Sequence, residues 1–110
     1  MAEMIDREFL NSENRIWLEN DAGEEIAFIS FPYVGSGRKL VCIDHTVVDP
    51  SLQGQGIASR LVREAVESIR KDGKKCLVTC SYAQAWFGKH TEYMFLLVGP
   101  DEAALLKDQD

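Results

Sequence analysis

The feature that most constrains the fold of this chain is a change of hydrophobic period at two glycines, Gly54 and Gly56. Before them, residues 39–48 form an apolar stretch rich in strand-forming side chains. After them, apolar residues recur every three or four positions, which predicts an amphipathic helix that ends before Gly73. The apolar stripe consists of Ala58, Leu61, Val62, Ala65, Val66 and Ile69. A strand, a glycine turn and a long helix are therefore expected in succession.

Strand patterns on both sides of this unit predict a mixed sheet. Residues 15–19, 26–34 and 39–48 are joined by short turns, so we expect an antiparallel meander. Residues 76–80 follow the helix and predict a fourth strand, which a right-handed crossover would place parallel to the third. The predicted class is α/β (α+β), with a mostly antiparallel sheet, one long helix after the third strand and a strand–helix–strand core.

The C-terminal part of the chain carries weaker signals. Residues 83–89 predict a short helix, and residues 93–98 predict a last strand whose edge could pair with another chain. The tail from residue 101 is charged around an Ala-Ala-Leu-Leu centre and is expected to fray. No repeat or linker divides the sequence, so we predict a single domain over residues 1–110 with a core at about 13–98.

The charge balance and the cysteines exclude several classes of protein. Twelve Lys and Arg against 18 Asp and Glu give a net charge of −6, whereas a nucleic-acid surface needs clustered cationic side chains. The three cysteines form no CxxC pair and have no zinc-like spacing with the two histidines, so we expect free thiols and no metal. Residues 1–10 carry acidic side chains and no apolar core of signal-peptide length, and no apolar run approaches the length that spans a bilayer. We therefore expect a soluble, cytoplasmic protein without a membrane partner.

The loop over residues 53–59 has the chemistry to bind an anion through its backbone. Amides in the first turn of a helix lack intrahelical partners and lie at the positive end of the helix dipole. Glycines have no Cβ, so a diphosphate could approach these amides, and Gln53 and Gln55 could add uncharged donors. A tight turn without any ligand also explains two glycines. The loop lacks the Gly-Lys-Ser/Thr of a P-loop, and Ser59 stands where a dinucleotide-binding fingerprint needs a third glycine.

The sequence of this loop resembles the Gln/Arg-x-x-Gly-x-Gly/Ala signature of GNAT-type N-acetyltransferases. Further blocks are similar to a subgroup of very short members, the YjdJ-type N-acetyltransferase domain. The similar segments are Gln53-Gly54-Gln55-Gly56-Ile57-Ala58, His45-Thr46-x-Val48, Thr79-Cys80-Ser81-Tyr82 and His90-Thr91-Glu92-Tyr93, in which Thr91 replaces a proline. The resemblance extends over about residues 15–98.

This resemblance implies an enzyme that transfers an acetyl group from acetyl-CoA to an amine. It places the thioester between the third and fourth strands, the pantetheine arm on backbone groups of residues 46–48, and the pyrophosphate on residues 53–59. A backbone N–H near Val47 or Val48 would polarise the thioester carbonyl. The implied coenzyme-binding residues are Thr46, Val47, Val48, Gln53, Gly54, Gln55, Gly56, Ile57, Ala58 and Ser59. The short group lacks the helices that follow the first strand in larger relatives, which implies an open acceptor site or one that a homodimer completes.

Three side chains are candidates for catalysis. Cys80 would lie beside the thioester as a nucleophile or a thiol acid, although a free cysteine is also a common buried apolar residue. His45 has the chemistry of a base, and because it and Cys80 both lie near strand ends, the two could form a Cys–His pair. Strand alternation equally predicts a half-buried structural histidine. Tyr82 would protonate the leaving thiolate or pack against the coenzyme. Asp44 is expected on the opposite face of the strand from His45, exposed to solvent.

Two functions are alternatives to a catalytic acetyltransferase. A CoA-binding module without turnover would need the same loop, so only thiol release from acetyl-CoA in the presence of amines separates it from an enzyme. A thiol redox protein would use Cys76 and Cys80. Four residues of extended chain separate these two sulfurs by roughly 13 Å, which argues against a disulfide.

Overall fold

The computed structural model describes residues 8–107. The strands are β1 (Leu10–Ser12), β2 (Arg15–Glu19), β3 (Glu25–Ser30), β4 (Leu40–Ile43), β5 (His45–Val48) and β6 (Lys75–Val78), and the helices are α1 (Ile57–Lys71), α2 (Ser81–Lys89) and α3 (Pro100–Lys107). Four strands form an antiparallel sheet in the order β1-β2-β3-β5, while β4 and β6 pair in parallel. The predicted class, with its antiparallel meander, long helix and parallel strand pair, is confirmed.

The strand predicted over residues 39–48 is divided in two at Asp44. Its first half, β4, pairs with β6, so that Val41 lies opposite Cys76. Its second half, β5, pairs with β3, so that Val47 lies opposite Phe28. The division was not predicted because strand-forming residues lie on both sides of Asp44, and only the change of pairing partner separates the two halves.

A cleft opens where the chain passes from β4, which pairs with β6, into β5, which does not. The N–H groups of Thr79 and Cys80 both donate to the Ile43 carbonyl, at 3.0 and 3.3 Å. The chain then turns into α2 instead of following β5, and β5 becomes the last strand in the order of its sheet. The strand predicted over residues 76–80 therefore ends at Val78, and Cys80 is the N-cap of α2.

Helix α1 forms the core with the antiparallel sheet. It packs across β2, β3 and β5. Its buried residues are Ile57, Leu61, Val62, Ala65, Val66 and Ile69. These agree with the predicted stripe except at the first turn, where Ile57 is buried and Ala58 is only half-buried. The buried stripe fixes the rotation of α1, and so determines which groups of its first turn face the cleft.

The prediction for residues 93–98 was wrong. Residues 91–96 form a 3-10 helix, with Met94 and Phe95 exposed and Leu96 buried. A short apolar run without alternation does not distinguish a strand from a helical turn. The tail is also helical over Pro100–Lys107, where a proline begins the helix and Asp101 and Glu102 occupy its first turn. Among residues 8–107, no helix has both the length and the apolar character needed to cross a bilayer.

Candidate functional site

The cleft between β5 and α2 continues into a cavity of about 390 Å³. Strand β5, the loop before α1, the first turn of α1 and the start of α2 each contribute to its wall. The lining residues are Thr46, Val48, Leu52, Gln53, Gly54, Gly56, Ile57, Ala58, Ser59 and Tyr82. The structure thus brings together eight of the ten residues predicted to bind the coenzyme. Val47 and Gln55 do not line the cavity, whereas Leu52, which had no distinguishing sequence signal, does.

Two glycines give the loop a shape that other residues adopt only at a cost. Gly54 has a φ of 87° and Gly56 a φ of 76°, both in the left-handed region. A Cβ added to either would meet no protein atom within 4 Å. Space beside the backbone is therefore left open at both positions, which both line the cavity. An anion of phosphate size could occupy that space and reach the adjacent amides.

The first turn of α1 offers backbone donors without protein acceptors. The N-cap is Gly56, which has no capping side chain, and the first turn contains no acidic residue. The first helical hydrogen bond runs from Arg60 N–H to the Gly56 carbonyl. Within residues 8–107, the N–H groups of Ile57, Ala58 and Ser59 accordingly have no backbone acceptor. Unpaired amides at the positive end of a 15-residue helix have the chemistry to bind an anion.

The turn that precedes the loop is held by Asp49. Its Oδ1 accepts from Ser51 N at 2.9 Å and from Ser51 Oγ at 2.8 Å. These two hydrogen bonds lower the pKa of the Asp49 carboxyl group. The negatively charged carboxylate of Asp49 therefore stabilises this turn.

The free edge of β5 directs two backbone positions toward the cleft. Asp49 N–H donates to the Ile26 carbonyl, so the residues in phase with Asp49, including Val47, turn their backbone groups toward β3. The intervening residues, Thr46 and Val48, point theirs to the unpaired edge. Of the two oxyanion donors considered from the sequence, Val48 has the better orientation.

Tyr82 and Ser59 bring side-chain hydroxyls to the cavity. Tyr82 lies in the first turn of α2 and is 42% exposed. Ser59, the third residue of α1, accepts a hydrogen bond from Trp86 Nε1 at 2.9 Å. Sequence reasoning could not find the role of Trp86, because 27 residues separate it from its partner.

Cys80 does not line the cavity, but it contacts Thr46, which does. Its Sγ donates to Thr46 Oγ1 at 3.5 Å. Within the described chain, the thiol has no hydrogen bond to a base, and the Cys–His pair considered from the sequence is not formed. Cys76 is fully buried, and burial raises the pKa of its thiol to about 12.

His45 is on the other face of β5 from the cavity, and the expectation of a half-buried histidine was wrong. Its side chain is 66% exposed, and Nδ1 lies 3.3 Å from Asp44 Oδ1. The same Asp44 oxygen accepts from Ser30 Oγ at 2.5 Å. Asp44 had been expected on the opposite face, but it occupies the break between β4 and β5, where alternation does not hold. The carboxylate is therefore placed to orient the imidazole.

Comparisons with known proteins relate the chain to a family and a fold. A family model described as GCN5-related N-acetyl-transferase matches residues 15–96. Protein NATD1 of Xenopus tropicalis is 33% identical over 60 residues, which make up 54% of this chain and 53% of the relative. The chain therefore spans about half the length of the curated relatives that it matches.

Solved structures extend the likeness over nearly the whole chain. The NMR structure of a GCN5-like protein from Staphylococcus aureus superposes with a TM-score of 0.67 and 28% identity, covering 90% of this chain and 92% of that one. The GNAT family N-acetyltransferase YhbS from Escherichia coli, solved in complex with CoA, superposes with a TM-score of 0.52 and 25% identity. That match covers 58% of this chain and 38% of YhbS.

Proposed function

This chain belongs to the GCN5-related N-acetyltransferase family, and on that premise we propose that it transfers the acetyl group of acetyl-CoA to an amine. One observation carries the proposal. The uncapped first turn of α1 and two left-handed glycines border the same cavity as the free edge of β5. An anion-binding end and a strand-like edge are what a coenzyme with a diphosphate and an extended pantetheine arm requires.

The loop and the first turn of α1 would hold the diphosphate. The N–H groups of Ile57, Ala58 and Ser59 would donate to phosphate oxygens, with the helix dipole adding to the attraction. Gln53 lines the cavity and would supply a further amide donor. None of these groups carries a charge, which agrees with a coenzyme site on a protein of net charge −6.

The free edge of β5 would hold the pantetheine arm. The backbone groups of Thr46 and Val48 would bond the amides of the arm as a neighbouring strand would. The thioester carbonyl would then lie near Val48 N–H, which would donate to its oxygen as negative charge develops there. YhbS, a relative of the same fold, was solved with CoA bound, which supports a coenzyme of this class.

Catalysis would use two side chains that lie on opposite sides of β5. On the cavity side, the Tyr82 hydroxyl would donate a proton to the departing thiolate. On the opposite face, His45, oriented by Asp44, would accept the proton of the attacking amine. Base and acid would thus act from opposite sides of the thioester, and the amine would approach from the open face of the sheet.

The geometry favours direct transfer over an acetyl-Cys80 intermediate. The thiol bonds to a threonine hydroxyl, which cannot serve as a base at neutral pH, and Cys80 does not line the cavity. A nucleophilic thiol needs a neighbouring base or positive charge. We therefore propose that Cys80 helps to position Thr46, to which its thiol donates a hydrogen bond.

The proposal is tested by incubating the full chain with acetyl-CoA and a panel of primary amines while free thiol is measured. The expected result is thiol release that depends on both the amine and the protein. Saturable binding of CoA without thiol release for any amine would support a CoA-binding module instead. Absence of CoA binding would overturn both functions.

A further inference from the structure

The indole of Trp86 reaches the proposed diphosphate site through a single hydrogen bond. Nε1 donates to Ser59 Oγ at 2.9 Å, and the Trp86 side chain is only 4% exposed. Trp86 lies on α2 and Ser59 in the first turn of α1. The bond therefore joins the two helices at the end of α1 that borders the cavity.

The chemistry of the two groups fixes the direction of this bond. An indole N–H can only donate, so the Ser59 oxygen must be the acceptor. The hydroxyl proton of Ser59 therefore points away from the indole. Among residues 8–107, no group accepts a hydrogen bond from it. Because Ser59 lines the cavity, a phosphate oxygen there is a suitable acceptor. A hydroxyl that already accepts one hydrogen bond is also a stronger donor.

The indole is held in place from several sides. His90 stacks on it with a ring-centroid separation of 3.9 Å and an interplanar angle of 12°. His90 Nδ1 also lies 2.8 Å from the Trp86 carbonyl oxygen, to which it donates. Phe87 packs edge-on at 5.6 Å. A ring with so little freedom holds the direction of its N–H, and hence the rotation of the Ser59 hydroxyl.

We propose that Trp86 is a positioning residue for coenzyme binding: its indole N–H orients the Ser59 hydroxyl as a donor to the diphosphate. The inference rests on the proposed function, since it names how one group of that site is aimed. Trp86 does not touch the coenzyme, so its effect passes through Ser59.

The experiment is a double-mutant cycle on CoA affinity, with the full chain as wild type, Ser59→Ala, Trp86→Phe and the double variant. Each single change is expected to weaken CoA binding about tenfold, as expected for loss of one hydrogen bond to a charged group. The double variant should bind no more weakly than either single variant, because both changes remove the same interaction. Trp17→Phe is the matched control. It removes an indole bond to Glu19 on the sheet face away from α1, and should leave CoA affinity within twofold of wild type.

A second readout does not depend on how well Trp86→Phe folds. The chain has two tryptophans, so its NMR spectrum carries two indole N–H signals. The Trp86 signal should shift when CoA binds the wild type and stay fixed in Ser59→Ala, with Trp17 as the internal reference. Unchanged CoA affinity in Trp86→Phe, or losses that multiply in the double variant, would overturn the inference while CoA binding by wild type stands. If the wild type does not bind CoA, it is the proposed function that fails.

Discussion

Replacing Gly56 with alanine separates the two roles that this glycine plays. Its φ of 76° costs an L-residue about 1–2 kcal/mol, because Cβ crowds its own backbone in the left-handed region. The added methyl meets no other protein atom within 4 Å, so no further folding penalty is expected. For a chain of 110 residues, the corresponding fall in Tm is roughly 5–10 °C.

The same methyl group should also weaken binding of the coenzyme. It would occupy the open space beside the first-turn amides, where the diphosphate is proposed to lie. Loss of even one hydrogen bond to a charged phosphate oxygen is worth about 1.5–3 kcal/mol, which corresponds to roughly 10- to 150-fold weaker CoA binding.

Gly73→Ala is the control for this comparison. Gly73 also lies in the left-handed region, with a φ of 69° and no atom within 4 Å of an added Cβ, but it follows the opposite end of α1. Calorimetric unfolding should give similar losses for the two variants, whereas isothermal titration with CoA should separate them. Equal CoA affinity in Gly56→Ala and Gly73→Ala would refute the reasoning.

Three further predictions concern the side chains around the cleft. Cys80→Ser should keep the rate of thiol release within about threefold of wild type. Mass spectrometry of the wild type after incubation with acetyl-CoA alone should find no acetyl group on Cys80, and a stable adduct there would contradict direct transfer. Tyr82→Phe should lower kcat roughly 100-fold with the Kd for CoA unchanged, whereas an unchanged kcat would remove Tyr82 from the proton path. The thiol of Cys76, with its pKa raised to about 12, stays protonated at pH 8. It should therefore resist alkylation by iodoacetamide in the folded protein, while the half-buried Cys42 reacts. Alkylation of Cys76 at the rate of Cys42 would contradict the burial of Cys76.

The fold was predictable where local pattern and tertiary packing agree. The stripe on α1 repeats at helical spacing over four turns, and the packed sheet buries that stripe. Strand β1 was missed, because Leu10–Ser12 is short and its three residues are all exposed, which leaves no alternation to detect. Residues 93–98 were misassigned because their apolar side chains are divided between the core and the surface without a regular period.

The candidate site was predictable in the loop but not around His45 and Cys80. The loop is made of consecutive residues, so two glycines and a following helix were enough to predict its turn and the unpaired amides of the first helical turn. The partners of Cys80 and His45 depend on the break at Asp44, which alternation along an unbroken strand cannot reveal. The break turns Asp44 toward His45 and leaves Cys80 against Thr46, so two separate contacts form where a Cys–His pair was considered possible.

The most direct test of the account is an NMR titration of the isotopically labelled chain with CoA. If first-turn amides hold the diphosphate, the largest amide shifts should fall on Gly54, Gly56, Ile57, Ala58 and Ser59, with smaller shifts at Thr46 and Val48. Saturable binding whose shifts lie elsewhere, for example in the groove beside Cys76 and Val98, would contradict the account.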